Sequence, residues 1–103
     1  MDSLKDKMDV IREVIAGYAK PPVNGRSCLT QSSDGRVFTV VDIYQVRGQR
    51  DADAGLIVRI DDGHIIIERD MNNKPLVDAL VQAGIPRDKI ILAYAGEQVP
   101  ETA

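Results

Sequence analysis

Two Asp-Gly pairs divide the middle of this sequence into strand-length segments. Asp34-Gly35 and Asp62-Gly63 each lie between runs in which apolar and polar residues alternate. A type I′ turn requires positive φ at both central positions, so Asp-Gly between alternating runs predicts a two-residue β-hairpin loop. The segment 26–69 is therefore predicted to form antiparallel strands.

The second pair also predicts the register of its hairpin. A loop of Asp62-Gly63 places Asp61 opposite His64, and side-chain alternation then separates two faces. One face is predicted to pack in the core, and it carries Leu56, Val58, Ile60, Ile65 and Ile67. The other is predicted to be mixed and half-exposed, and it carries Ile57, Arg59, Asp61, His64, Ile66 and Glu68.

The first pair, Asp34-Gly35, predicts a register by the same alternation. A loop of Asp34-Gly35 places Gln31 opposite Phe38, and it leaves Cys28 on the face away from the core. The strand from about 37 to 46 is apolar on both sides for much of its length, which predicts a central position in the sheet. The polar segment 47–55 between the hairpins is predicted to be an exposed loop. The inward set of the first hairpin is Leu29, Phe38 and Val40.

Helical periodicity precedes the strands. An apolar stripe at spacings of three and four predicts a helix from Ser3 to Ala19, capped by Ser3 and stopped by Pro21-Pro22. The stripe consists of Leu4, Met8, Ile11, Val14, Ile15 and Tyr18.

Helical periodicity also follows the strands. Pro75 suits the first turn of a second helix, Gly84 its left-handed C-terminal cap, and Pro86 follows. The segment 89–94 predicts a short final strand, and the tail 96–103 has no periodic pattern and is expected to be loose. The buried stripe of this helix is predicted to be Leu76, Val77, Leu80 and Val81.

These elements predict one α+β domain spanning residues 1–103. Their order is an N-terminal helix, a four-stranded antiparallel meander, a second helix and a final strand, with the helices gathered on one face of the sheet. A chain of 103 residues has room for one core. No stretch is long and apolar enough for a membrane span, and the charged N-terminus does not resemble a signal peptide, so we expect a soluble cytoplasmic protein.

The charge balance argues against tight binding to DNA. The formal net charge is −3, from 16 acidic and 13 basic residues, whereas autonomous nucleic-acid binders usually carry a basic excess. An alternative hypothesis keeps direct DNA binding through local phosphate contacts. Its four candidate residues are Arg47, Arg50, Arg59 and Arg69.

No residue pattern predicts a catalytic centre, a cofactor or a metal site. Cys28 is the single cysteine and is expected to pack as a small hydrophobe. Asp51 and Asp53 match only a fragment of a calcium loop, and the glycines form no nucleotide-binding motif. Because no such pattern is present, we predict that the protein is not an enzyme. A less favoured hypothesis places a ligand or metal site around His64, with Asp61 and Glu68.

The second half of the chain resembles the XisI family. The segment 57–70, IVRIDDGHIIIERD, is similar to the strand–Asp-Gly–strand signature of that family, and 80–94, LVQAGIPRDKIILAY, is similar to a later family segment. Gly17-Tyr18-Ala19 at the end of the first helix also fits. The sequence departs from the family at Ile66, where a tryptophan is usual, and in its tail, which lacks the typical aromatic residues.

The resemblance implies an accessory role. XisI-like proteins are known as controlling factors for programmed excision of a DNA element in cyanobacteria, acting beside a site-specific recombinase and a companion, XisH, that looks like a nuclease-type protein. We therefore expect a regulatory factor in DNA recombination that binds a XisH-like partner and touches DNA only indirectly or weakly. An uncovered sheet edge could also pair two copies. The expected contact residues are Arg47, Arg50, Arg59, Asp61, His64 and Glu68.

Overall fold

The computed structural model describes residues 4–100 and contains one five-stranded sheet with two α-helices. The strand order is β1-β2-β3-β4-β5, antiparallel except for β5, which runs parallel to β4. The predicted α+β architecture is thereby confirmed. The elements are α1 (Met8–Ala16), β1 (Gly25–Gln31), β2 (Val37–Val46), β3 (Gln49–Asp61), β4 (His64–Asp70), α2 (Leu76–Gln82) and β5 (Ile90–Leu92), with 3-10 turns at Lys5–Lys7, Arg87–Lys89 and Ala93–Ala95.

Both α-helices pack on one face of the sheet, which we call the inner face. Each contributes an apolar stripe that meets alternate residues of β2, β3 and β4. None of the helices within residues 4–100 has the length and apolar character needed to cross a membrane. The buried core comprises Leu4, Ile11, Ile15, Phe38, Val40, Leu56, Val58, Ile65, Ile67, Leu76, Val77, Leu80, Ile85 and Ile90.

The first helix is shorter than predicted. It ends at Ala16, because the backbone N–H of Tyr18 donates to Ile15 at 2.9 Å and so closes a tighter final turn. The prediction of helix as far as Ala19 is wrong, and the proline pair lies beyond the actual end. The predicted cap at Ser3 lies outside the described residues.

The hairpin at Asp62-Gly63 is confirmed. Asp61 lies opposite His64, and Asp62 and Gly63 have φ values of 51° and 73°, as a type I′ turn requires. The predicted inner residues of this hairpin all belong to the core or pack against it. On the other side of the sheet, Ile66 is 1% exposed, so one residue of the mixed face is more buried than predicted.

At the first hairpin the predicted register is confirmed, but the predicted turn type is wrong. Gln31 lies opposite Phe38, yet only Gly35 of the Asp34-Gly35 pair has positive φ. The Asp34 carboxylate instead accepts hydrogen bonds from the Ser32 hydroxyl at 2.6 Å and from the Arg36 N–H at 3.0 Å. Asp34 therefore acts through its side chain, which organises a longer turn.

This turn predicts a measurable titration effect. The Ser32 hydroxyl, and next the Arg36 N–H, lower the pKa of Asp34. A carboxyl with a lowered folded-state pKa contributes stability above its unfolded pKa, and that contribution is lost as pH falls through the folded value. We expect Ser32→Ala to raise the Asp34 pKa toward the ordinary aspartate value in an NMR titration. Ser33→Ala, at the adjacent exposed serine, should leave it unchanged, and equal shifts in both variants would contradict the assignment.

The segment 47–55 is not a loop, and that prediction is wrong. Arg47 and Gly48 form the turn, with φ values of 53° and 79°, and β3 begins at Gln49. The strand continues to Asp61, so β2 and β3 form a long antiparallel ribbon. The segment resembles a loop in sequence because it is rich in charged and small residues, and this part of the strand has no core face.

The second helix is capped at both ends by contacts within the domain. The Asp70 carboxylate accepts a hydrogen bond from the Leu76 N–H at 2.7 Å, which satisfies one of the free donors of the first turn. Gly84 has φ of 99°, and the Ile85 N–H donates to Leu80 at 3.0 Å, which is a Schellman cap as predicted. Val81 is 43% exposed, so its predicted place in the buried stripe is wrong.

The final strand is shorter than predicted. It spans Ile90–Leu92 and then gives way to a 3-10 turn, because the Glu97 carboxylate accepts a hydrogen bond from the Leu92 N–H at 2.8 Å. Glu97 also pairs with Arg87 at 3.1 Å. These bonds hold the chain beyond β5 against the preceding 3-10 turn.

Candidate partner-binding surfaces

An ion triad centred on Arg59 lies on the outer face of the sheet, the face away from the helices. Arg59 Nε donates to Glu68 at 2.7 Å, and its guanidinium also donates to Asp61 at 3.0 Å. The hydrogen bond to Glu68 is the main reason that the pKa of Arg59 is raised. Three of the predicted contact residues are thus brought together, and the triad carries one net negative charge.

His64 lies beside this triad but does not join it. Its Nδ1 is 2.9 Å from the Asp62 carbonyl oxygen, which can only accept, so Nδ1 carries the proton. Asp61 faces His64 across the strands, but its carboxylate is bonded to Arg59 instead. The arrangement therefore does not form a His–carboxylate pair in which the acid orients the imidazole.

The β2–β3 ribbon extends past the part of the sheet that the helices cover. We call residues 42–53 the arm; every residue from Gln45 to Asp53 is exposed. A register shift between Val40 and Val41 places an extra residue, Gly55, at its base. A bulge of this kind bends and twists the ribbon, and so sets the direction in which the arm projects.

The inner side of the arm is acidic around one tyrosine. Asp42 lies opposite Asp53 and Tyr44 opposite Asp51, so alternation places all four side chains on this side. The Tyr44 hydroxyl donates to Asp53 at 3.3 Å. The negative charge of Asp51 is the main cause of the raised pKa of Tyr44. The inner side of the arm therefore presents three carboxylates to solvent or to a partner.

The structure does not bring the four candidate DNA-contacting arginines together. Arg47 and Arg50 lie at the tip of the arm, and Arg59 lies about 30 Å farther along β3. Arg59 is also neutralised by its two carboxylate partners, whereas Arg69 lies opposite Ile57 on β4. A continuous basic surface from these residues is absent.

A groove of about 550 Å³ lies where the helices meet the base of the arm. Tyr18, Lys20, Lys74 and Asp42 are among its lining residues. The Tyr18 hydroxyl donates to the Lys74 carbonyl oxygen at 3.0 Å, which ties the end of α1 to the segment before α2. Burial is the main cause of the raised pKa of Tyr18, with Asp70 and Asp78 adding to it. We call this feature the helix-end groove.

The described residues offer little for metal or nucleophilic chemistry. Between residues 4 and 100, no three His, Cys, Asp or Glu side chains are placed to hold one metal ion. Cys28 is exposed on the outer face opposite Val41, so the prediction that it packs as a hydrophobe is wrong. The reason is that no helix covers that face of β1.

Sequence reasoning missed both the arm and the helix-end groove. Arg47-Gly48 is a weaker hairpin signal than Asn-Gly or Asp-Gly, so the sequence pattern did not predict a turn there. Strict alternation of Asp51 and Asp53 with Ala52 and Ala54 was the available clue. The groove has no local signal, because Tyr18, Asp42 and Lys74 meet only in the folded chain.

A family model and two solved structures are similar to this chain. The family model described as XisI protein matches residues 1–102. A XisI-like protein from Anabaena variabilis ATCC 29413 superposes with a TM-score of 0.75 at 19% identity, covering 94% of this chain and 89% of that one. At that identity the likeness concerns the fold alone.

The second structure is the fdxN element excision controlling factor XisI from the same strain. It superposes with a TM-score of 0.70 at 25% identity and covers 90% of this chain and 93% of that chain. No curated protein matches the sequence. The similarity therefore extends over nearly the full length of both proteins.

Proposed function

Because the chain belongs to the XisI protein family, we propose that it is a non-enzymatic accessory factor that controls excision of a DNA element. The observation that carries this proposal is the likeness to the fdxN element excision controlling factor over 90% of the chain. The surface chemistry supports it, since within residues 4–100 the His64 ring bonds to a backbone oxygen and Asp61 and Glu68 bond to Arg59, so these residues form no His–carboxylate pair suited to acid–base catalysis.

We further propose that control is exerted by binding a XisH-like protein. Since function has to be argued from a site and not from the fold, and residues 4–100 form no metal-binding cluster, we take the exposed charged surfaces as the sites of partner contact. The candidate contacts fall into two separate regions, the triad with His64 on the outer face and Arg47 with Arg50 at the tip of the arm. The separation allows each region to be tested alone.

Co-purification with a co-encoded XisH-like protein tests this function. We expect a complex at micromolar concentration, followed by calorimetry to measure the dissociation constant. Glu68→Lys reverses one charge of the triad, and Arg47→Glu reverses one at the arm tip. Reversing a charge at the rim of an interface typically weakens association by about tenfold, so whichever variant shows that loss identifies the contact region.

Lys89→Glu is the matched control, because Lys89 is exposed on a 3-10 turn that belongs to neither region. It should bind as the unmodified protein does. Absence of any complex with a folded XisH-like protein at about 100 µM would overturn the proposed partner.

Direct DNA binding is the weaker alternative. Its four arginines are dispersed, and the arm that carries two of them also carries Asp51 and Asp53. A gel shift at low salt should show no retardation by this protein alone, since phosphate neutralisation requires concentrated positive charge. Retardation that disappears in Arg47→Glu would instead favour the DNA alternative.

A further inference from the structure

The chain has more surface than a compact protein of its size. Its accessible area is 6784 Å² for a mass of 11.3 kDa, whereas monomers of that mass expose about 5,700 Å². The radius of gyration of 14.3 Å likewise exceeds the roughly 13 Å of a compact domain of this length. Among residues 4–100, the arm is the feature that projects past the part of the sheet covered by the helices.

The arm and the helix-end groove meet at a concave corner. Asp42 belongs to both, since it lines the groove and lies at the base of the arm. One wall of the corner is the acidic inner side of the arm, with Asp51 and Asp53. The other wall is formed by the ends of the helical segments and carries Lys20 and Lys74.

Within residues 4–100, Lys20 and Lys74 of one wall and Asp51 and Asp53 of the other form no ion pair, and Asp42 adds one carboxylate to the groove between them. Among residues 4–100, Lys20 makes no ion pair, Lys74 donates to the neutral amide of Gln82 at 2.8 Å, and Asp53 accepts only from a phenol. Two copies related by a two-fold axis can each place an acidic arm against the lysine wall of the other. A two-fold interface requires a self-complementary surface of this kind.

We propose that this chain forms a symmetric dimer in which the arm of each copy lies in the helix-end groove of the other. The exposed arm and the groove supply the interface, and the lysine–carboxylate contacts determine its orientation. Exposed ion pairs add little affinity individually but discriminate strongly against like charge. The charged residues argued to form the dimer, Lys20, Lys74, Asp51 and Asp53, are not among the residues proposed to contact the XisH-like partner.

Charge reversal tests the dimer in two steps. Sedimentation equilibrium of the full chain should give a dimer at about 100 µM in low salt, with dissociation favoured as salt rises. Lys20→Glu/Lys74→Glu makes both walls acidic, and Asp51→Lys/Asp53→Lys makes both walls basic. Each variant alone should be monomeric, with a dissociation constant raised at least about tenfold. An equimolar mixture should dimerise again, because each arm then faces a wall of opposite charge.

The matched control is Arg12→Glu/Lys89→Glu, which makes the same change of net charge at exposed positions outside the corner. It should dimerise as the unmodified chain does, and circular dichroism checks that every variant is folded. A full chain that is monomeric at about 100 µM, or a mixture that stays monomeric, would overturn the proposal. A dimer that survives both reversals would also overturn it, and would point to the free edge of β1 instead.

Discussion

Phe38→Ala is expected to lower the free energy of unfolding by about 4 kcal/mol. Phe38 is the only phenylalanine of the chain and is fully buried on the inner side of β2. Truncation removes the transfer free energy of the ring and leaves a cavity between the sheet and the helices. Domains of this size are stable by about 5–15 kcal/mol, so the loss is a large fraction of the total. Urea denaturation followed by circular dichroism measures it.

Val46→Ala is the matched control on the same strand. Val46 is 54% exposed near the tip of the arm, so its truncation should change stability by less than about 0.5 kcal/mol. The slope of unfolding against urea should be the same in both variants, since neither alters the fold. A loss below about 1 kcal/mol for Phe38→Ala would contradict the described core.

Gly25→Ala is the second substitution with a large expected effect. A Cβ at Gly25 would lie 2.5 Å from the Ile43 carbonyl oxygen and 2.8 Å from Pro22 Cγ. The first neighbour is backbone of the paired strand, so the strands must move apart to admit a methyl group. We expect a loss of about 3 kcal/mol, the upper range for overpacking a well-packed site. The base of the arm would shift with β2.

Gly55→Ala separates this effect from the general cost of replacing a strand glycine. A Cβ there would meet only the Asp42 carboxylate, at 3.4 Å, which is an ordinary contact with a mobile group. Because alanine reduces the entropy of the unfolded chain, this variant should be unchanged or more stable by up to about 0.5 kcal/mol. Similar losses in both variants, measured by urea denaturation, would contradict the close approach at Gly25.

Much of the fold was predictable because it depends on local signals. The Asp62-Gly63 turn and the apolar alternation around it agree on one register, and the structure confirms both. At Asp34-Gly35 the same signal gave the correct register with the wrong turn, since a carboxylate can also organise a turn through side-chain hydrogen bonds. The register of this hairpin was still predicted correctly, because it is determined by the apolar faces of the two strands and not by the turn.

The candidate surfaces were less predictable. Arg59, Asp61 and Glu68 were each placed on the mixed face by alternation, yet their mutual bonding and the separate bond of His64 required coordinates. The arm was not predicted, because hydrophobic periodicity detects only strands that have a buried face. The part of β3 from Gln49 to Gly55 is held by backbone pairing, and its alternation of aspartate with alanine is a weaker signal than alternation of large apolar residues.

The sequence by itself determined the registers of the two Asp-Gly hairpins, their inner core faces and the α+β class, and its resemblance to the XisI family agrees with the family match. These depend on neighbours along the chain or directly across a hairpin, where alternation and turn chemistry are sufficient. Tertiary structure alone decided that β5 runs parallel to β4, that Asp70 caps α2, and that the arm and the lysine wall form one corner. Those contacts join segments distant in sequence, and their geometry follows from how the helices pack on a twisted sheet.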